Sequence, residues 1–490
     1  MIKISSRQSA LAKIQAYQVG QSLESSTGEQ IEFLFRESLG DKNLTDPLWK
    51  MPEKGVFTED FYLDLIKHQT DIVVHSWKDL PTEIKPETKI AATLPRQDQR
   101  DILLYKKSRM KNPHVRLFSS SPRRALNVKN FLKWALPWTI NDIEFLPVRG
   151  NIQTRVQKLL DDQTIDGLVL AKAALDRLFS DSHFPEVNDF LRKALDGLQW
   201  MVLPLGENPN AAAQGALAIE VAHSNSRIIQ ILEKINCSTS FTSAQRERDI
   251  LKQFGGGCHL ALGISVLQRD YGRIEIVKGL TPDGKTVHDK KFFPTKPLPV
   301  QLAPGKISFK SSRKPLPVVK TNSDAIYVSK FAAWSNDLLQ SRDFKHSNQI
   351  IWSAGLQTWQ KLAQQGVWVH GSSEGLGEQE DARIDLLCGK VVSWTKVTHD
   401  TANLPGTALQ KNPLGTYHLE LTVQNSQLSD HQVWSWNSAS EFQSAVAKFP
   451  ELKNRLHICG PGNTYAGIKH LLGSDKNIYL ELGHEFITVI

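Results

Sequence analysis

The chain has 490 residues, of which 40% are hydrophobic and 22% charged, an ordinary balance for soluble globular protein and enough length for several domains. The net charge of +8 fits an anionic partner. The basic residues recur singly or in pairs at element ends, which favours small anions in a cleft over a nucleic-acid stripe and excludes nucleic acid as the expected partner. No apolar run is long enough to span a bilayer, so no membrane partner is expected.

Met1-Ile-Lys-Ile opens directly into a strand-like segment, so no secretory signal peptide is expected. The four cysteines, Cys237, Cys258, Cys388 and Cys459, lie far apart without metal-ligand spacing. Free thiols in a reducing cytoplasm and no metal follow as expectations. Ser5-Ser-Arg-Gln-Ser9 then leads into a helix from about Ala10 to Leu23. Hydroxyls and a guanidinium at a strand-to-helix turn suit carboxylate or phosphate, although a plain N-cap by Ser6 or Ser9 explains the serines equally well. A second strand, Ile31-Glu-Phe-Leu-Phe, precedes Arg36. Asp41 to Lys54 reads as a long loop, either a lid carrying Lys42, Lys50 and Lys54 or a solvated connection.

Asp71-Ile-Val-Val-His-Ser-Trp-Lys-Asp-Leu-Pro81 is a buried strand whose polarity changes within one residue. Ligands of open α/β sheets bind where strands end, so Lys78 and Asp79 stand where a charged reaction centre would be stabilised; a solvated turn with a local ion pair is the bland alternative. Arg96-Gln-Asp-Gln-Arg-Asp101 alternates charge at the edge of a crossing into a second lobe. That lobe repeats the grammar: Val115-Arg-Leu-Phe is a strand, Ser119-Ser-Ser-Pro-Arg-Arg124 opens a helix, and Val148-Arg-Gly150 leads to a helix opened by Asn151-Ile-Gln-Thr-Arg155. Asp166-Gly-Leu-Val-Leu-Ala is a further strand running into a helix, Val202-Leu-Pro-Leu returns to the first lobe, and Ala213 to Glu220 completes its sheet. A polar helix, Ser243 to Gln253, then ends in Gly255-Gly-Gly-Cys-His259 before a small antiparallel sheet. A lone cysteine is usually a small buried hydrophobe, but a glycine loop has little to bury it under, which leaves a covalent role open for Cys258.

Several of these stretches together resemble porphobilinogen deaminase, or hydroxymethylbilane synthase, in the family's order over about residues 1 to 300: Ser6-Arg-Gln-Ser-Ala-Leu-Ala, Lys54-Gly-Val-Phe, His75-Ser-Trp-Lys-Asp-Leu-Pro, Ser120-Ser-Pro-Arg-Arg, Val148-Arg-Gly-Asn-Ile-Gln-Thr-Arg, Asp166-Gly-Leu-Val-Leu-Ala and Gly256-Gly-Cys. The resemblance implies an α/β protein with two lobes like those of periplasmic binding proteins and a small α+β third domain. It places the first domain at 1–95 and 200–223, the second at 96–199 and the third at 224–300. It implies a covalent dipyrromethane cofactor on Cys258 and porphobilinogen as substrate, with Asp79 as the catalytic acid. It assigns Lys78, Ser120, Ser121, Arg123 and Arg124 to the cofactor, and Arg7, Ser9, Lys54, Arg149 and Arg155 to the substrate. Pro122 departs from the family's aliphatic residue. The family's Pro-Gly-Gln-Gly run is replaced by the longer Leu205-Gly-Glu-Asn-Pro-Asn-Ala-Ala-Ala-Gln-Gly215, which puts the interdomain crossing in doubt.

Residues 301–319 are rich in proline and lysine and read as a linker. Residues 320–490 repeat a strand, tight turn and helix: Gln349-Ile-Ile-Trp-Ser-Ala-Gly-Leu-Gln-Thr in one unit, and Leu456-His-Ile-Cys-Gly-Pro-Gly-Asn-Thr in the other. This two-lobed α/β region resembles uroporphyrinogen-III synthase, which closes a linear tetrapyrrole. Tyr417 and Thr464 match its site residues, while its opening strand and helix are shortened or absent. The combined reading is a monomeric bifunctional tetrapyrrole enzyme, transferase and lyase. Its rivals are a deaminase with a silent second half, and a two-lobe anion-binding protein without turnover.

Overall fold

A computed structural model describes residues 1–37, 59–256, 260–299, 303–317, 321–334, 349–401 and 411–489. Two compact units are present; the first holds nearly all of residues 1–289 and the second holds residues 290–490.

The first unit is built on two five-stranded sheets of matching design. In one, β1 (Ile2–Arg7) is flanked by parallel strands β2 (Ile31–Arg36) and β3 (Ile72–Ser76), and β10 (Leu217–Ala222) runs antiparallel between β3 and β4 (Thr88–Ala92). In the other, β6 (His114–Phe118) is flanked by parallel strands β7 (Asp142–Leu146) and β8 (Gly167–Ala171), and β5 (Asp101–Lys106) runs antiparallel between β8 and β9 (Leu198–Val202). The first sheet alone takes a strand from beyond the crossing: the chain passes over after β4, builds the whole second sheet, and returns after β9 to supply β10. The central strands read as continuous apolar runs because both of their faces are covered. Helix α1 (Ala10–Thr27) packs Ala16, Val19 and Leu23 onto Ile2, Ile4, Ile72 and Val74.

Three further helices matter for the site. Helix α2 (Glu59–Ile66) covers the other face of β3 through Phe61 and Leu65. Helix α3 (Pro122–Ala135) starts on the proline that departs from the family pattern. The first helical position needs no N–H donor, so Pro122 costs nothing there. Helix α4 (Ile152–Asp161) is capped by Asn151, whose side chain accepts from the Thr154 N–H at 2.8 Å. A third sheet contains β11 (Leu262–Arg269), β12 (Gly272–Leu280) and β13 (Thr286–Pro294) in that order. Helix α5 (Ser238–Gln253) ends just before the cysteine loop, and β11 begins just after it.

In the second unit, β14 (Phe309–Pro315) lies within the segment expected to be a linker. It pairs antiparallel with the long β19 (Lys411–Val423), from Phe309↔Val423 to Pro315↔Tyr417. Nearly all of β14 is exposed at the sheet edge, so its sequence carries charge and no apolar alternation. The remaining strands of that sheet, β15 (Ala325–Val328), β16 (Ile350–Ser353), β17 (Gly371–Ser372) and β18 (Trp394–His399), run parallel. Among the described residues a second sheet has β20 (Val433–Trp436), β21 (Leu456–Cys459) and β22 (Ile478–Leu480), all parallel. Gly305 bridges to Trp434, and Ile307 joins Trp434, Trp436 and Phe442 in the core. The segment before β14 thus belongs to the second sheet's packing. Among the described residues no helix is long and apolar enough to cross a membrane.

Candidate active site

Parallel pairing sets the carboxyl ends of β1 and β3 side by side, which puts Arg7 next to the turn Trp77–Asp79. Arg7, Ser9, Gln15, His75, Ser76 and Asp79 line one open cleft there. Ser9 also accepts from the Ala12 N–H at 3.4 Å, so it caps α1 as well as facing the cleft. Gln15, which the sequence reading missed, reaches from α1 to the Ser76 hydroxyl at 2.9 Å. His75 Nε2 lies 3.0 Å from Glu220 Oε2, and Thr88 donates to the other Glu220 oxygen at 2.6 Å. Burial pushes the Glu220 pKa up, but the bonds from His75 and Thr88 outweigh it, so the carboxyl stays below its ordinary value.

Asp79 is exposed, while Lys78 beside it is half-buried. Burial lowers the Lys78 pKa; Asp79 and Asp101 oppose that, and Arg124 and Arg123 add to it. These four partners come from both lobes, so Lys78 stands at their junction.

The second lobe brings its serine–arginine turn to the same junction. Ser120 donates to the Val148 carbonyl at 2.8 Å and accepts from the Val148 N–H at 2.9 Å. Its hydroxyl therefore ties the two turns of the lobe together, a use the sequence does not show. Ser121 accepts from the Arg124 N–H at 3.4 Å and caps α3. Arg123 and Arg124 are 3% and 8% exposed and converge on Asp101, which is 0% exposed. Their Nη2 atoms donate to Asp101 Oδ2 and Oδ1 at 2.8 and 2.7 Å. Asn208 and Gln214 add further donors at 2.9 Å each. Burial would raise the Asp101 pKa, but the charges of Arg123 and Arg124 and the hydrogen bonds hold it far below the carboxylate range. Among the described residues Arg123 Nε and Arg124 Nε are buried without a partner, so each guanidinium keeps a donor for an anion.

Arg155 donates to the Gly150 carbonyl at 2.7 Å. Burial draws its pKa down to about 10; Arg124 and Arg149 act the same way, and Asp79 opposes them. Asp79 thus shares one electrostatic environment with Arg124, Arg149 and Arg155. Gln214 joins the lobes directly: its Oε1 accepts from Lys78 Nζ and from Arg124 Nη2, each at 3.4 Å.

Helix α5 supports the junction from the third side. Arg248 donates to the Trp77 carbonyl at 3.1 Å, to the Leu80 carbonyl at 3.3 Å and to the Pro81 carbonyl, so it grips the turn that carries Asp79. Its neighbour Glu247 takes a bidentate pair from Arg96 at 2.9 and 2.7 Å. Lys54 and Cys258 lie outside the described residues. Gly256, two residues before Cys258, sits at φ +68, and a Cβ on it would come within 2.6 Å of Thr82 Oγ1. The chain thus enters the cysteine loop beside Thr82, just beyond the Asp79 turn. Among the described residues no cluster of His, Cys, Asp and Glu could hold a metal ion.

Tyr417 and Thr464 occupy different sheets' elements in the second unit. Tyr417 is a buried residue of β19; burial raises its pKa and Arg313 opposes the rise. Thr464 lies in the first turn of helix α6 (Asn463–Leu472), which follows β21 and the Gly460-Pro-Gly462 turn.

Among solved structures, PhnD1 from Prochlorococcus marinus in complex with methylphosphonate covers 52% of this chain and 89% of its own at 10% identity, with a TM-score of 0.28. A periplasmic substrate-binding protein of an ABC transporter from Coxiella burnetii covers 51% and 97% at 11% identity, with a TM-score of 0.28. The family model described as porphobilinogen deaminase, dipyromethane cofactor binding domain, matches residues 2–230. The porphobilinogen deaminase of Syntrophomonas wolfei is 34% identical over 290 residues, 58% of this chain and 86% of that protein. A probable porphobilinogen deaminase of Methanopyrus kandleri is 32% identical over 292 residues, 59% and 90% of the two chains. That of Caldicellulosiruptor saccharolyticus is 34% identical over 266 residues, 54% and 83%. With most of each relative's length matched at this identity, and with the matched region folded around one arginine-rich junction, the chain belongs to the porphobilinogen deaminase family.

Proposed function

We propose that the chain is a hydroxymethylbilane synthase, which condenses four porphobilinogens head to tail with loss of ammonia. The observation that carries this is the junction itself: one exposed carboxylate, Asp79, in the field of Arg124, Arg149 and Arg155. The buried, unpartnered Nε atoms of Arg123 and Arg124 fit a carboxylated cofactor. A dipyrromethane on Cys258 supplies a covalent primer for the first addition. Arg123, Arg124, Lys78 and Ser121 hold its acetates and propionates, with Ser120 fixing the turn they stand on. Arg7, Ser9, Lys54, Arg149 and Arg155 receive the incoming porphobilinogen. Asp79 steadies the cation left when the substrate loses ammonia, and the same carboxylate takes up the proton released on coupling. The product carries about eight carboxylates whose mutual repulsion the arginines offset, since each guanidinium stays charged and meets a carboxylate bidentately.

On this reading residues 1–95 with 200–223, 96–199 and 224–300 are the three domains of a cytoplasmic monomer. The test is the intact mass of the purified protein. It should exceed the sequence mass by one dipyrromethane, the protein should stain with Ehrlich's reagent, and Cys258→Ser should lose both signals. Protein at its bare sequence mass that binds porphobilinogen without releasing ammonia would instead make this a binding protein.

For residues 320–490 we propose cyclisation of the released chain to uroporphyrinogen III, with Tyr417 and Thr464 in its site. Two sheets, a six-stranded one that ends in the antiparallel β14–β19 ladder and a three-stranded parallel one, each with a strand, glycine turn and helix, support it. One observation favours a silent region. The Glu374-Gly-Leu-Gly-Glu-Gln-Glu380 loop packs on the glycine turn before Thr464, where a Cβ on Gly462 would meet Gly377 Cα at 2.8 Å. Of the loop's three carboxylates, Glu378 pairs with Lys396 at 2.5 Å and Glu380 takes a bidentate pair from Arg269 at 2.5 and 2.7 Å, so the loop obstructs the turn chiefly by its backbone. The isomer of the product decides. Series III product without added synthase is the expected result, and series I alone would establish spontaneous closure and a silent second half.

A further inference from the structure

The segment Glu207 to Ala213 is where the chain departs from the family's short glycine run. Its polar groups divide between two sides. On one side Asn208 Nδ2 donates to Asp101 Oδ2 at 2.9 Å. Arg123 Nη1 donates to Asn208 Oδ1 at 3.1 Å and to the Pro209 carbonyl at 2.6 Å. On the other side Asn210 faces the third domain. Its N–H donates to Ser265 Oγ at 3.1 Å, and that hydroxyl donates back to Asn210 Oδ1 at 2.5 Å. The Ile264 N–H donates to the Asn210 carbonyl at 2.8 Å. Asn210 Nδ2 and the Ala213 N–H reach Glu247 Oε2 at 3.0 and 2.7 Å. Asn208, Asn210, Glu247 and Ser265 are all 0% exposed.

Packing repeats the message. A Cβ on Gly263 would lie 2.3 Å from the Pro209 carbonyl oxygen, the same atom that receives Arg123. Only glycine lets β11 approach the crossing this closely.

We infer that Asn208-Pro209-Asn210 is a strut that fixes Arg123 relative to the two elements flanking the cysteine loop, with Asn208 as a positioning residue for the cofactor-binding arginines. Helix α5 carries Glu247 and runs toward Cys258; β11 carries Ile264 and Ser265 and runs away from it. The strut grips both elements on one face and the Asp101–Arg123 pair on the other. A longer crossing thus yields a stiffer joint, because its added residues are asparagines and carbonyls that satisfy buried charge instead of solvated loop. The inference rests on the deaminase reading and adds to it what fixes Arg123 against the two elements that flank the cysteine loop.

Asn208→Ala and Ser265→Ala test it in the full-length protein as purified. The cofactor-loaded fraction is measured by intact mass, and turnover of porphobilinogen is expressed per loaded molecule. Ser265 lies away from the cleft and touches the arginine only through Asn210 and the strut. A terminal pyrrole held out of line slows each addition without weakening capture of the free substrate. Asn208→Ala is therefore expected to lower kcat by about tenfold and Ser265→Ala by roughly threefold, with KM unchanged within about twofold in both. Normal kcat per loaded molecule in both variants overturns the inference. So does a lower melting temperature or loaded fraction with normal kcat, which would mark a merely structural joint. If Asn208→Ala yields no folded protein, Ser265→Ala decides alone. Wild-type protein with neither excess mass nor turnover would overturn the deaminase reading and the strut's role together, whereas a working wild type with unaffected variants removes the strut only.

Discussion

Asp79→Asn is expected to keep the cofactor mass and lose about 1,000-fold in kcat, roughly 4 kcal/mol of transition-state stabilisation. The turn should survive the change. The Leu80 N–H donates to the Trp77 carbonyl at 3.3 Å, the Trp77 N–H donates to the Ala216 carbonyl at 3.1 Å, and Arg248 holds the carbonyls of Trp77, Leu80 and Pro81. None of those bonds uses the Asp79 side chain. What disappears is the negative charge that opposes Lys78, Arg124, Arg149 and Arg155 at the junction and that a cationic substrate fragment would meet. KM should move by less than about threefold, because the arginines capture the substrate's carboxylates with or without Asp79. Turnover within threefold of wild type in protein shown by mass to be fully loaded would remove Asp79 from its role.

The Asp79 turn was legible because a run of β-branched residues gives way to charge within one residue, and Pro81 marks where the strand stops. The serine–arginine turns were legible for the same local reason. What the sequence hid is how their side chains are shared. Ser120 looks like an anion donor, yet its hydroxyl is spent on Val148. Arg123 and Arg124 look like free anion binders, yet each gives its Nη2 to Asp101, 22 and 23 residues away. One signal was available: an aspartate that opens a strand reading Ile-Leu-Leu-Tyr must be buried, and a buried carboxylate needs cations nearby. Its partners Asn208 and Gln214 lie more than 100 residues on, a distance that no local pattern spans.

The second unit was harder for a different reason. Its strands β15, β16, β20 and β21 are four residues each, short enough that apolar runs identify strands but not their neighbours. Strand β14 defeated the reading because an exposed edge strand carries the same lysines and serines as a linker. The ladder it forms with β19 turns an apparent spacer into part of the second unit's architecture. Proline content, the cue used for the linker, reports only that Pro315 ends the ladder.

Asp101→Ala is expected to cost about 3–5 kcal/mol of stability, a large part of the roughly 5–15 kcal/mol that a folded domain has to lose. The substitution strands two guanidiniums in a site that excludes water, and Asn208 and Gln214 offer them no compensating charge. Asp101→Asn should be nearly as damaging, since an amide removes the charge and turns one acceptor into a donor facing an arginine or an amide that is also donating. The pH dependence gives the sign. The folded-state pKa of Asp101 lies far below that of the unfolded chain, about 3.9, so the unfolded chain binds the proton first on acidification. The carboxylate's contribution is therefore complete above about pH 4 and is lost as pH falls further toward the folded value. Asp98, held down by Arg100 and Lys172 against its burial, adds a loss of the same sign over the same window. Melting temperatures followed from pH 7 to pH 3 should show a constant gap between wild type and Asp101→Asn down to about pH 4 and a narrowing gap below it. A gap that is absent at pH 7, or one that widens on acidification, would mean that Asp101 does not hold the arginine pair.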